Sequence, residues 1–249
     1  MLEGLKELLF RGRSTPTRPT RLDTIEEIRA QNRELQNDVA QELGRDRRWR
    51  DADPAKSISH AIGEENARAI EEILSRGGTV MDVGAGRLVA ALDLTKAYPH
   101  GQVIAVEPFP SPQLPELPSN LRLLPKKVDL LLPRDLADGS VDAAYSAYSF
   151  AYIPDKLKAI SVVWDKLRVG GKAYIHLWQS PTTPDLEQIF KKFNYSDYGR
   201  VKPVANSPHL LTLNKSSNTP LDFGKYRFEG DLVSETGIVF TRYYFDNPN

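Results

Sequence analysis

The sequence predicts an α/β chain built on a doubly wound, mainly parallel sheet with helices on both faces. Three observations predict it. Short apolar runs alternate with helix-periodic stretches from Thr79 to Phe193. The first run, Val80-Met81-Asp82-Val83, ends in the glycine turn Gly84-Ala85-Gly86 and passes directly into a helical stretch. Beyond Asn194 the runs become short and β-like, with Asn and Gly between them, as antiparallel strands that finish a sheet would be.

The 249 residues suffice for one large α/β domain with an extension, which we divide as 1–56, a basic arm and helix, and 57–249, the sheet domain. In the arm, Arg11, Arg13, Arg18 and Arg21 are spaced by Ser, Thr and Pro. A helix over Leu22–Leu43 follows, with Asp23 or Thr24 as cap, Glu26 and Glu27 in its first turn and Gly44 as its stop. Ile25, Ile28, Leu35 and Val39 give it one narrow apolar stripe, suited to packing on the domain or pairing two copies of the chain. The cluster Arg45, Arg47, Arg48, Trp49 and Arg50 is diluted by Asp46, Asp51 and Asp53, and reads as a solvated turn before it reads as a phosphate contact.

Within the domain, Ile58, Ile62, Ala69, Ile70, Ile73 and Leu74 predict a helix over Ser57–Leu74, ended by Gly77-Gly78. The alternation then places strands at Thr79–Val83, Gln102–Glu107, Leu121–Pro125, Val141–Ser146 and Lys172–Trp178. Helices fall at Leu88–Ala97, Asp155–Leu167 and Pro184–Phe193. The Asp155–Leu167 helix is the best defined, because Asp155 follows Pro154 as a cap and Leu157, Ile160, Val163, Trp164 and Leu167 recur at helical spacing. Three β-like runs close the chain: His209–Leu213, Phe223–Phe228 and Ile238–Phe245.

Composition narrows the chemistry. A formal charge of zero, with 40% hydrophobic and 27% charged residues, argues against a globally basic nucleic-acid binder. The absence of cysteine excludes disulfides, thiolate metal ligands and a cysteine nucleophile, and fits a cytoplasmic enzyme. Four scattered histidines are a poor start for a metal site, so no metal is expected. No apolar stretch is long enough to span a bilayer, and no membrane partner is expected.

The glycine turn carries the functional expectation. Without side chains, Gly84 and Gly86 can take positive φ and let the main chain approach a ligand, while the helix that follows offers unpaired amides. Glu107, closing the second strand, stands where an acid meets ribose hydroxyls. Together they point to an adenosine-containing cofactor.

Four segments in order sharpen this: Asp82-Val83-Gly84-Ala85-Gly86; Glu107; Gly139-Ser140-Val141-Asp142-Ala143-Ala144-Tyr145-Ser146 running through Ala147-Tyr148-Ser149-Phe150-Ala151-Tyr152 to Ile153-Pro154-Asp155; and Leu167-Arg168-Val169-Gly170-Gly171-Lys172. Over Ser57 to Trp178 the chain resembles the class I S-adenosylmethionine-dependent methyltransferases, within them the mostly small-molecule, ubiquinone-biosynthesis-like subgroup. The resemblance implies a Rossmann-like seven-stranded sheet with antiparallel C-terminal strands and S-adenosyl-L-methionine as cofactor. It implies cofactor contacts at Asp82, Gly84, Ala85, Gly86 and Glu107, at Asp129 for adenine, and at Ser146 and Ala147 for the methionine end. A nicotinamide cofactor would want a third glycine, which this chain replaces near Leu88.

Methyl transfer is an in-line displacement in which the protein positions the acceptor and sheds water. Where the acceptor needs a base, His176 at the end of the fifth strand is the candidate, although a lone strand histidine is more often structural. Tyr148, Tyr152 and Trp178 would form an aromatic wall for the acceptor, or else pack in the core. A small molecule is the expected acceptor. RNA held by the arginine-rich segments and a non-catalytic interaction module are the alternatives, and pairing of two copies through the Leu22–Leu43 helix is a further expectation.

Overall fold

A computed structural model describes residues 58–110, 114–177, 183–204, 207–233 and 238–246; the basic arm, the Leu22–Leu43 helix, the Arg45–Arg50 cluster and Trp178 lie outside the described residues. The central sheet comprises β1 (Thr79–Val83), β2 (Gln102–Val106), β3 (Leu121–Leu124), β4 (Val141–Ser146), β5 (Leu167–His176), β6 (Gly199–Val204) and β7 (Ser207–Asn214), in the spatial order β3-β2-β1-β4-β5-β7-β6. β1 to β5 pair in parallel, and β7 runs antiparallel between β5 and β6. The strand order reverses between β1 and β4, which opens a crevice at their carboxyl ends.

Helices α1 (Ile58–Ile62), α2 (Glu64–Ser75) and α3 (Val89–Ala97) share one face, and α4 (Lys156–Lys166) and α5 (Thr183–Lys192) the other. Alternate strand residues serve the two layers. Val80, Val103, Ala105, Ala143, Tyr145 and Tyr174 meet Ile62, Ile70, Leu74 and Ala91. Met81, Val83, Ile104, Val106, Ala144 and Ile175 meet Leu157, Ile160, Trp164 and Phe190. Because both faces are covered, the parallel strands read as nearly continuous apolar runs. As the sequence predicts, the Asp155 carboxylate caps α4, accepting from the Lys158 amide at 3.1 Å.

Three expectations are corrected. The helix predicted over Ser57–Leu74 is two helices, because Gly63 has φ of 88° and starts α2 afresh, with Glu64 and Glu65 in its first turn. The predicted fifth strand begins earlier, at Leu167, and its pairing with β4 shifts register between Val141 and Ala143. The last β-like runs do not finish the sheet: β8 (Tyr226–Val233) and β9 (Ile238–Phe245) pair as a separate antiparallel hairpin. The sheet ends instead on β6, a strand absent from the sequence reading.

A buried lysine ties this hairpin to the domain. Lys156, fully buried at the start of α4, donates from Nζ to the Ile153 carbonyl at 3.0 Å, the Val239 carbonyl at 2.9 Å and Thr241 Oγ1 at 3.2 Å. Burial lowers its pKa to about 7, against the opposing pull of Asp155. Three oxygen acceptors make the burial tolerable.

Candidate functional site

The crevice is built around the turn after β1. The Gly84 and Ala85 amides both donate to the Val106 carbonyl, at 2.7 and 3.2 Å, which anchors the turn over the end of β2. Gly84 has φ of 74°, and a Cβ there would lie 2.2 Å from Ser149 Cβ and Oγ. Ser149 in turn donates to the Val83 carbonyl at 2.6 Å. Its single proton is thereby used, so Ser146 is the donor in the 2.7 Å contact between the two hydroxyls. Ser146, predicted to line the pocket, is fully buried and supports the turn from one layer behind.

Gly86 is different. Its φ is 54°, and a Cβ built on it meets no heavy atom within 4 Å, so its open side is a cradle rather than a packing contact. The wall of that cradle is Glu107, whose Oε2 accepts the Gly86 amide at 2.8 Å and whose Oε1 accepts the Phe109 amide at 2.9 Å. Burial raises the Glu107 pKa, and the two amides oppose that rise. A carboxylate offers about four acceptor positions, so two remain for donors from a ligand. Adjacent hydroxyls of a ribose fit that demand.

Leu88 stands one residue before Val89, where a third glycine would fall, and has a glycine-like backbone. Its φ is 63°, in the left-handed region, and its side chain is fully buried at the head of α3. The left-handed conformation costs a non-glycine residue about 1–2 kcal/mol, while burying a leucine side chain contributes about 1.5–3 kcal/mol. Packing wins, and the turn enters α3 through a left-handed leucine.

Beneath the turn lies Asp82, buried on the same face as Tyr145, its cross-strand neighbour in β4. Burial is the main cause of its pKa being pushed up to about 7; proximity to Tyr145 opposes the shift and Glu107 adds to it. The Tyr145 hydroxyl influences this carboxyl without meeting hydrogen-bond geometry, and it is buried without a hydrogen-bond partner among the described residues.

Asp129 sits in a short 3-10 turn, Val128–Leu130, and is buried. Its pKa is raised by burial against the attraction of Lys127 and Lys158.

Just after β4, Ala147 and Tyr148 are partly buried in the layer under α1 and α2, to which Ala85 also belongs. Tyr148 has φ of 64°, a second left-handed non-glycine residue. Its hydroxyl pairs with Nδ1 of His60 on α1, and its ring centroid lies 4.6 Å from that of His176 at the end of β5. The fold thus joins Tyr148 and His176, both predicted, with His60, which was not. Tyr152 is buried in the turn Phe150–Tyr152.

A shallow cavity of about 230 Å³ lined by Asp197, Arg200, Lys202, Thr212 and Asn214 lies on β6 and β7 and their approach, remote from the glycine turn. Charged side chains on an edge strand discourage strand addition, which accounts for Arg200 and Lys202. Among the described residues no group of three or more His, Asp or Glu is placed to hold a metal, and no helix is long and apolar enough to cross a membrane.

No family model matches the chain, and no curated protein matches it. Solved structures do. The chain is similar to the 1,6-didemethyltoxoflavin-N1-methyltransferase of Burkholderia thailandensis, a structure with 1,6-didemethyltoxoflavin and S-adenosylhomocysteine bound, with 16% identity, 80% of this chain and 94% of that one covered, and a TM-score of 0.50. A SAM-dependent methyltransferase from Aquifex aeolicus matches with 18% identity, 65% and 96% coverage and a TM-score of 0.45. At such identities the likeness is one of fold. Together with the strand order, it gives this chain the Rossmann-like fold of the class I methyltransferases.

Proposed function

We propose that this protein is an S-adenosyl-L-methionine-dependent methyltransferase acting on a small molecule. The observation that carries the reading is the Gly86–Glu107 pair, an open backbone cradle walled by a carboxylate with unused acceptor positions. Gly84, Ala85 and Gly86 would hold the methionine end, Glu107 the ribose, Asp129 the adenine and Ala147 the side of the crevice nearest the acceptor. Asp82 and Ser146 keep the turn in shape. When bound, the cofactor would supply an electrophilic methyl carbon for the acceptor's electron pair. The chain's own work is to orient the acceptor, exclude water and dispose of a proton where the acceptor has one to lose.

The small-molecule acceptor is supported by the neutral net charge and by the bound small molecule of the Burkholderia neighbour. Incubation with methyl-labelled S-adenosylmethionine and a cell extract, followed by separation by size, tests it. Label in the low-molecular-weight fraction is expected; label confined to RNA would overturn the small-molecule acceptor and favour the arginine-rich segments as phosphate contacts.

A further inference from the structure

We propose that His60, Tyr148 and His176 form a proton relay at the acceptor end of the crevice, which commits the site to acceptors with a weakly acidic O–H or ring N–H. The inference rests on the methyltransferase reading for its purpose and on its own geometry for its parts. Tyr148 is placed by the same segment that fixes the cofactor turn: the next residue, Ser149, fills the space above Gly84 and bonds to the Val83 carbonyl. Tyr148 is thereby one residue from the side chain that packs against Gly84. A left-handed residue costs backbone energy, and such residues persist where the surroundings over-determine them, often at functional sites. Here the reward is the contact of Tyr148 with His60 on one side and His176 on the other.

The two imidazoles have different roles. His176 is buried at the end of β5, and burial, with His60 and His209 nearby, lowers its pKa to about 4, so it is a neutral ring that orients Tyr148. His60 is exposed on α1, in contact with solvent that can take up a proton. Burial raises the Tyr148 pKa, which keeps the phenol protonated as a donor to His60 Nδ1. The titratable groups around the cluster are His60 on α1, Glu65 on α2, Tyr174 and His176 on β5 and His209 on β7.

The relay balances simply. As the acceptor atom is alkylated, its proton moves to Tyr148 Oη, the Tyr148 proton moves to His60 Nδ1, and His60 releases a proton from Nε2 to solvent, regaining its Nε2–H tautomer by proton exchange with water before the next turnover. The pair that held the proton remains on the acceptor atom, Tyr148 ends as it began, and one proton leaves per turnover. His60 must begin as the Nε2–H tautomer, with Nδ1 free to accept.

The test uses the full chain with S-adenosylhomocysteine present, phenol as the probe and nitrogen-15 NMR of the histidine rings. The relay predicts an accepting, unprotonated Nδ1 at His60, a shift of its signal when phenol is added, and phenol binding weakened fivefold or more by Tyr148→Phe and by His60→Leu, with S-adenosylhomocysteine binding retained. A protonated Nδ1 at His60, no phenol binding, or equal phenol binding by wild type and Tyr148→Phe would each overturn it. Failure of S-adenosylhomocysteine to bind would overturn the cofactor reading instead, and the His60 signal would still report the tautomer.

Discussion

The Glu107 carboxylate and the Gly86 amide are joined at 2.8 Å, so the acid that ends β2 and the turn that follows β1 form one unit. A carboxylate that already grips the turn is pre-organised for the ribose that the proposed function assigns to it. Glu107→Gln keeps one accepting oxygen and loses the charge, and charge-assisted hydrogen bonds are worth about 1.5–3 kcal/mol. S-adenosylhomocysteine should bind about tenfold to a hundredfold more weakly to this variant, measured by calorimetry against wild type.

Gly84 is required by a neighbour. Gly84→Ala brings Cβ to 2.2 Å from Ser149 Cβ and Oγ, and also strains a φ of 74°. We expect it to destabilise the domain by about 2–4 kcal/mol, through overpacking and backbone strain together. In the double variant Gly84→Ala, Ser149→Gly the clash disappears and only part of the stability returns, since the strain stays and the bond to Val83 is lost. Urea unfolding of the four proteins reads the coupling directly. Strict additivity would deny the contact.

Leu88 tests the opposite balance. Leu88→Gly releases left-handed strain of about 1–2 kcal/mol but gives up the burial of a leucine and leaves a cavity, about 2–5 kcal/mol. The variant should be less stable by up to roughly 4 kcal/mol, the difference of those ranges being about 0–4, while its affinity for S-adenosylhomocysteine is unchanged. A more stable variant would show that strain dominates.

Asp82 predicts a pH dependence with a definite sign. Its folded pKa is about 7, above the ordinary value of 3.8, so between those values the folded state holds more protons than the unfolded one. Its contribution is fully present below about pH 4 and is lost as pH rises through 7. Asp155, raised to about 6, acts in the same direction. Lys156, lowered from 10.5 to about 7, adds stability only as pH climbs from 7 towards 10.5. Comparing wild type with Asp82→Asn isolates the carboxyl: the variant should gain stability relative to wild type as pH rises from 5 to 8, on the order of a few kcal/mol. A constant difference across that range would contradict a raised pKa.

Much of the fold was legible because its signals are local. β1, its glycine turn, β2, β4 and the capped α4 each announce themselves within a few residues. The break at Gly63 was also written locally, in a glycine followed by Glu64 and Glu65, but the continuing apolar stripe masked it. β6 was not legible, since Lys202 and Pro203 read as loop and only pairing with β7 makes them strand. Nor could local pattern say whether Tyr226–Val233 pairs with the sheet or with Ile238–Phe245. Around the turn, the proximity of Gly84 and Gly86 to Glu107 could be read from spacing, whereas the contact of Ser146 with Ser149 could not. His60 was invisible: it reaches Tyr148 through the packing of α1 on the sheet and through a left-handed tyrosine that no pattern announces.

The most direct measurement is calorimetric titration of the full chain with S-adenosylhomocysteine, alongside Gly86→Arg, which would fill the open side of the cradle. The account predicts micromolar or tighter binding to wild type and loss of binding in the variant. No binding by wild type, or equal binding by Gly86→Arg, would contradict the claim that the Gly86–Glu107 cradle holds the cofactor.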